Sequence, residues 1–300
     1  MSEKLALKKT TLQGGKPGPH LLVLGGVHGD EFESMAAIRR LKRTVDASGV
    51  RGRLTLVPVV NEGAFIRGER TAEDGLDLAR TCPGRPDGSI TERVAHEVSS
   101  LIRTSDFLID LHSGGNIMHF YPTVGYTLHP DSEVLDVQRR LAEAFNLPII
   151  WGTTSQLDGR TLSVARDARI PAIYAEYMGG GICSPDGVDA YTEGCLNVMS
   201  ELGMIEREQP DNRTVHTVED DSDQSGLIQV NYQSPVDGYF NPTVKLTQSV
   251  VPGDVLGEVT DPMGETVEEI VSVQTGIVLC LRVFNRVLKG DSLGAVLVLE

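Results

Sequence analysis

The sequence predicts an α/β protein: a doubly wound, mostly parallel sheet flanked by helices, followed by a smaller all-β unit. Three observations predict it. Over the first two thirds, short apolar runs that end in glycines alternate with segments of helical period. After a polar, acidic stretch at 206–226, helical patterning stops and short β runs between Gly, Pro and Asp turns take over. The chain has 300 residues, which suits one large domain plus a small one.

The elements follow in order. HLLVLGG (20–26) reads as a buried strand ending in glycines. EFESMAAIRRLKR (31–43) reads as a helix with Phe32, Met35, Ala36, Ile38 and Leu41 on its apolar side. RLTLVPVVN (53–61) is a second strand. SITERVAHEVSSLIR (89–103) predicts a helix capped by Ser89 or Thr91, with Val94, Val98, Leu101 and Ile102 facing inward. DFLIDLH (106–112) is a third strand, and residues 131–145 have helical period. LPIIWG (147–152) and IPAIYAEYMGGG (170–181) are strands, the second running into glycines. TEGCLNVMSELGMI (192–205) is a helix closed by Gly203. The expected division is a first domain over 1–205, a linker over 206–225 and a β domain over 226–300.

The tail carries an internal repeat. SPVDGYF (234–240) is similar to SVQTGIV (272–278), and VVPGDVLGEV (250–259) to VLKGDSLGAV (287–296). This duplicated β unit resembles the barrel-sandwich fold of biotinyl and lipoyl carriers. Those carriers present a lysine at a hairpin between the halves, and DPMGET (261–266) has none. A structural or site-covering role is therefore expected of the tail.

Composition limits the functions. With 42 Asp+Glu against 27 Lys+Arg, the formal charge is −15. Such a surface repels nucleic acid and anionic membranes, so neither is expected as a partner. No run approaches the roughly 18 apolar residues of a membrane span. The opening MSEKLALKKTTLQGG lacks the apolar centre of a secretory signal, and the four cysteines form no C-x-x-C pair. A reducing, cytoplasmic location is expected, and a homo-oligomer is left open.

The chemistry is concentrated at strand ends. GGVHGDE (25–31) sets His28 and Glu31 just after a buried strand, where ligands bind in open α/β sheets. His112 ends another strand and is followed by glycines in HSGG (112–115). Two histidines and a carboxylate are a ligand set of catalytic zinc, with a fourth position left for water. The alternative is that His28 caps a helix entry and His112 is a satisfied buried histidine. Asp110 would share a strand face with His112 and either orient its imidazole or simply end the strand.

Four segments then carry a family resemblance: GGVHGDE, NEGAFIRGERTAEDGLDLARTCPG (61–84), DLHSGG (110–115) and AEYMGGG (175–181). Together they resemble the succinylglutamate desuccinylase/aspartoacylase family of the zinc carboxypeptidase superfamily, over about residues 20–205, and the tail resembles that family's C-terminal domain. The resemblance implies one zinc ion held by His28, Glu31 and His112. It implies Glu176 as the catalytic glutamate, Arg70 as the group that polarises the scissile carbonyl, and Arg80 as the group that holds a substrate carboxylate. Arg67 is a further candidate substrate contact, and Arg160 and Arg166 could supply others. One departure stands out. Where the family reads D-L-N-R-x-F-P-G, this chain reads DLARTCPG (77–84), with Ala79 for asparagine and Cys82 for phenylalanine. A lost amide changes which polar group a site rewards.

The implied activity is zinc-dependent hydrolysis of a linear, non-peptide amide in a small N-acylated amino acid. The alternatives are a metallocarboxypeptidase acting on peptide C-termini, or a non-enzymatic zinc- or ligand-binding protein on the same fold.

Overall fold

A computed structural model describes residues 6–223, 225–228, 232–265 and 267–299. Residues 1–5 of the opening segment and Thr266 of the 261–266 turn lie outside the described residues.

The elements run β1 (Thr10–Gln13), β2 (Lys16–Leu24), α1 (Phe32–Thr44), β3 (Arg51–Val57), α2 (Glu62–Arg67), α3 (Ile90–Ile102) and β4 (Phe107–Leu111). Then come β5 (Met118–Thr127), α4 (Ser132–Phe145), β6 (Ile149–Thr153), α5 (Thr161–Asp167), β7 (Ala172–Gly179), α6 (Pro185–Glu201) and β8 (His216–Asp220). The tail holds β9 (Gly238–Pro242), β10 (Ser249–Val250), β11 (Val255–Thr260), β12 (Val267–Val271), β13 (Gly276–Arg282), β14 (Arg286–Val287) and β15 (Gly294–Val298).

The centre of the main sheet is parallel and doubly wound: β3–β2–β4–β7 lie side by side. Alternate residues of β2 explain why its sequence is an unbroken apolar run. Leu21 and Val23 pack with Ile38 of α1, Phe145 of α4 and Tyr191 of α6. Leu22 and Leu24 face the opposite layer, with Val94 and Val98 of α3 and Leu162 of α5. Both faces are dry, so each such side chain contributes about 1.5–3 kcal/mol. Helix starts follow their caps. Ser89, not Thr91, caps α3 in a capping box, with Glu92 Oε2 accepting from Ser89 N at 2.8 Å.

The structure departs from the sequence reading in several places. Strand β5 was not anticipated, because Pro122 and Gly125 interrupt it. Gly125 is required there: a Cβ would lie 2.5 Å from the Tyr174 ring. Helix α6 begins at Pro185 rather than 192, capped by Ser184 Oγ accepting from Gly187 N at 3.3 Å. The stretch expected to be a linker contains β8, which pairs in parallel with β6. Its residues HTVED alternate between half-buried and exposed and only Val218 is apolar, so its composition resembles a loop. Helices α2 and α5 are short and carry too little periodicity to be read in advance.

The tail does not stand apart from the main sheet. Strand β13 pairs with β5 through Cys280↔Phe120, while β9, β11, β12 and β14 form a separate four-stranded sheet. The sequence repeat is visible as topology. Strand β9 pairs with β11 of its own half and β14 of the other; β13 pairs with β15 of its own half and β10 of the other. The repeated glycines share a cause. A Cβ on Gly238 would lie 2.2 Å from Thr260 O, and one on Gly276 would lie 2.0 Å from Leu297 O. Among the described residues, no helix is long and apolar enough to cross a membrane.

Candidate metal centre

His28, Glu31 and His112 come together because β2 and β4 are parallel neighbours whose following loops leave the same edge of the sheet. The loop after β2 is compressed against the start of α2: a Cβ on Gly29 would fall 2.0 Å from the Ala64 carbonyl carbon. Glu31 occupies the N-cap position of α1, yet its side chain makes no cap hydrogen bond. It turns inward instead. Its Oε1 lies 2.7 Å from His28 Nδ1 and its Oε2 lies 3.0 Å from His112 Nδ1. One donor atom from each of the three lies within 4.8 Å of the others, and all three residues are buried.

The far nitrogen of each imidazole meets a second carboxylate. His28 Nε2 is 3.1 Å from Asp77 Oδ1, and His112 Nε2 is 3.1 Å from Asp110 Oδ2. With a metal bound at Nδ1, a carboxylate on Nε2 would hold the ring proton there and leave the Nδ1 lone pair for the metal. Of the two roles open to Asp110, the geometry favours orienting the imidazole. Asp110 is held in turn by the Thr161 hydroxyl, which donates to Oδ2. Asp77 was not singled out beforehand, although it opens the DLARTCPG segment.

Electrostatics follow from this crowding. Burial alone would raise the Glu31 carboxyl, but His28 and His112 hold it well below the usual carboxylate range. Burial alone would lower the His112 imidazolium, but Asp110 and Glu31 on either side raise it well above the histidine range. Asp77 is likewise held low against its burial, by His28 and Arg70.

Glu176 lies on β7, next to His112: parallel pairing of β4 with β7 is continued by His112 N donating to Ala175 O at 2.8 Å. Its Oε2 is shielded from solvent and has no hydrogen-bond partner among the described residues. Burial pushes its carboxyl up to about 8, with the nearby Glu31 adding to the rise and His112 opposing it. Arg70 donates to Asp77 Oδ2 from Nε at 3.2 Å and Nη2 at 3.0 Å, and its Nη1 is 3.8 Å from Glu31 Oε1.

These groups line a cavity of about 160 Å³ that also includes Ala79, Arg80 and Arg160, with Gly226, Ile228 and Ser292 contributed from beyond β8. Arg67 is a correction to the sequence reading. It ends α2 and does not line this cavity; its Nε donates to Glu69 at 3.1 Å on the outer surface. Arg166 is also directed elsewhere, pairing with Asp158 at 2.7 Å and Asp167 at 2.8 Å.

Known proteins share the sequence pattern and the fold. The model of the succinylglutamate desuccinylase/aspartoacylase catalytic domain matches residues 17–202. An N-alpha-acetyl-L-2,4-diaminobutyric acid deacetylase from Halomonas elongata is 34% identical over 254 residues, covering 81% of this chain and 71% of that protein. A solved succinylglutamate desuccinylase from a Silicibacter species superposes with a TM-score of 0.88 at 27% identity, over 97% of this chain and 88% of the other. The product-bound ectoine utilization protein EutE (DoeB) from Ruegeria pomeroyi also gives 0.88, at 29% identity and the same coverage.

Proposed function

The chain belongs to the succinylglutamate desuccinylase/aspartoacylase family, and from that premise we propose that it is a zinc-dependent deacylase hydrolysing the amide of a small N-acylated amino acid. The observation that carries this reading is the donor set. Two Nδ1 atoms and one carboxylate converge, and both imidazoles have their Nε2 engaged by carboxylates. That chemistry fits a catalytic zinc held by His28, Glu31 and His112. Bound there, zinc supplies Lewis acidity, polarising a carbonyl and making water acidic enough to ionise near neutral pH.

The chain's own residues do the rest. Glu176 accepts the proton of the attacking water on its unpartnered Oε2 and delivers it to the leaving amine. Arg70, fixed by Asp77, faces the negative charge that grows on the carbonyl oxygen; one such donor is worth about 3 kcal/mol. Arg80 grips a substrate carboxylate. The small cavity, walled in part by Ile228 and Ser292, supports a compact amide over a polypeptide.

The test combines metal analysis with a substrate screen. Purified protein is expected to carry one zinc per chain and to release free amine from N-acyl amino acids. Release from ordinary dipeptides alone would favour a carboxypeptidase. Protein that neither binds zinc nor cleaves any amide would leave only the binding-protein reading.

A further inference from the structure

Residues 225–228 pass over β6 and divide the hollow beside it. A Cβ on Gly226 would lie 3.2 Å from Thr153 Cβ. Ile228 packs against the cluster of Trp151 and Leu297, and Trp151 shares a strand face with Thr153. Gly226 and Ile228 therefore line the metal cavity and also a second cavity of about 520 Å³. Trp151 and Leu297 form buried parts of the second cavity's wall, and Asp220 and Asp221, at the end of β8, form part of its open side.

Two buried polar groups in this wall have no partner. Trp151 Nε1 and Ser225 Oγ are shielded from solvent and lack a hydrogen-bond partner among the described residues. The two residues are only 9% and 4% exposed. An indole N–H can only donate, and a serine hydroxyl can donate beside it. Buried donors left unpaired are costly, and a carbonyl oxygen on a ligand removes that cost.

The charged residues around the cavity are all acids; among the described residues no lysine, arginine or histidine lines it. Glu219 is already engaged. Arg139 donates to both its carboxylate oxygens at 2.8 Å, and the Tyr126 hydroxyl donates to Oε1 at 2.7 Å. Asp220 accepts from Ser222 N at 2.9 Å. Neither Asp220 nor Asp221 joins an ion pair among the described residues, in contrast to Glu219. The cavity thus offers neutral donors within and uncompensated negative charge at its opening. An anion is repelled, a neutral amide uses the donors alone, and a cation bearing a carbonyl uses both.

We propose that this second cavity is a binding site for a small monocation that carries a neutral hydrogen-bond acceptor. Its ammonium group meets Asp220 and Asp221, and its carbonyl oxygen accepts from Trp151 and Ser225. The site is distinct from the metal centre and does not rest on the deacylase reading. It places its ligand on the outer side of the Gly226–Ile228 wall that the two cavities share.

Trp151 is the only tryptophan of the chain, so its emission reports on this cavity directly. The probes are γ-aminobutyramide, butyramide and succinamate, which share a primary amide and differ in charge. The cation γ-aminobutyramide is expected to change Trp151 emission saturably, with a midpoint about tenfold or more below that of neutral butyramide, an advantage that shrinks with added salt. The anion succinamate is expected to bind more weakly than either. Asp220→Asn combined with Asp221→Asn should reduce the ratio of cation to neutral amide to about threefold or less. Ser225→Ala should weaken both amides by roughly two- to tenfold and leave their ratio unchanged. Circular dichroism checks that the variants fold. His112→Ala, which alters the metal centre, should leave the emission change in place. No saturable response to γ-aminobutyramide, tighter binding of succinamate, or an unchanged ratio in the double aspartate variant would each overturn the proposal. So would loss of the response in folded His112→Ala, which would put the probe in the metal cavity instead.

Discussion

Asp77→Asn isolates the link between one metal ligand and the arginine proposed to stabilise developing charge. Asp77 has three tasks. Its Oδ1 accepts from Ala79 N at 2.8 Å and lies 3.1 Å from His28 Nε2, while Oδ2 accepts twice from Arg70. Asparagine keeps one oxygen, so it can still accept from Ala79 N and from His28. Its amide nitrogen then faces the Arg70 guanidinium, donor against donor. The loss therefore falls mainly on Arg70. Two hydrogen bonds to a charged group, at an arginine whose side chain is 38% exposed, are worth about 2–3 kcal/mol together, the lower part of the usual range. If that energy positions Arg70 in the transition state, kcat/KM falls roughly 30- to 150-fold. Zinc affinity, which depends on the retained contact to His28, falls by about tenfold, the lower end for a residue orienting a metal ligand. The assays are steady-state hydrolysis of an N-acyl amino acid and competition for zinc with a chelating dye. A variant with kcat/KM within twofold of the parent would show that the Asp77–Arg70 contact does not position a group for the reaction.

Further outcomes are expected. Glu176→Gln should retain zinc but lose about 10² or more in turnover, whereas His112→Ala should lose zinc itself; both are read by metal analysis beside a rate assay. In chelator-treated protein, Glu176 holds its proton up to about pH 8, while the unfolded chain releases it near 4.5. The folded state then binds more protons across that window, so the contribution of Glu176 to stability is present at acid pH and declines as pH rises from about 4.5 to 8. Thermal melts of Glu176→Gln should lack that part of the decline. Cys183 is exposed, whereas burial pushes the Cys82 thiol up to about 12, so a maleimide should label Cys183 and spare Cys82 in folded protein. The net charge of −15 repels itself, so the melting temperature should rise with added salt.

Legibility of the fold tracked the strength of local signals. Strand β2 and helix α3 were readable because burial on both sheet faces, or on one helix face with a serine cap, leaves a periodic imprint. Strands β5 and β8 were not. One contains a proline and a close-packed glycine, and the other alternates exposed with half-buried residues. The repeat at 234–240 and 272–278 was legible as sequence, yet its two halves enter different sheets, since each leading strand finds a partner in the other half.

Of the candidate site, the residue types were present in the sequence in GGVHGDE, DLHSGG and AEYMGGG, because a metal ligand or proton carrier must be His or a carboxylate whatever surrounds it. Orientation and company were decided by tertiary structure. Only the parallel pairing of β4 with β2 and β7 sets His112 beside both Glu31 and Glu176. Only the packing of distant loops brings Asp77 to His28, sends Arg67 to the outer surface and brings Arg160 beside Arg80. The physical reason is range. Ligand chemistry and hydrophobic period act over a few residues and are written locally, whereas a hydrogen bond or a charge contact needs atoms within a few ångströms, which for residues 49 to 81 positions apart only the folded chain supplies.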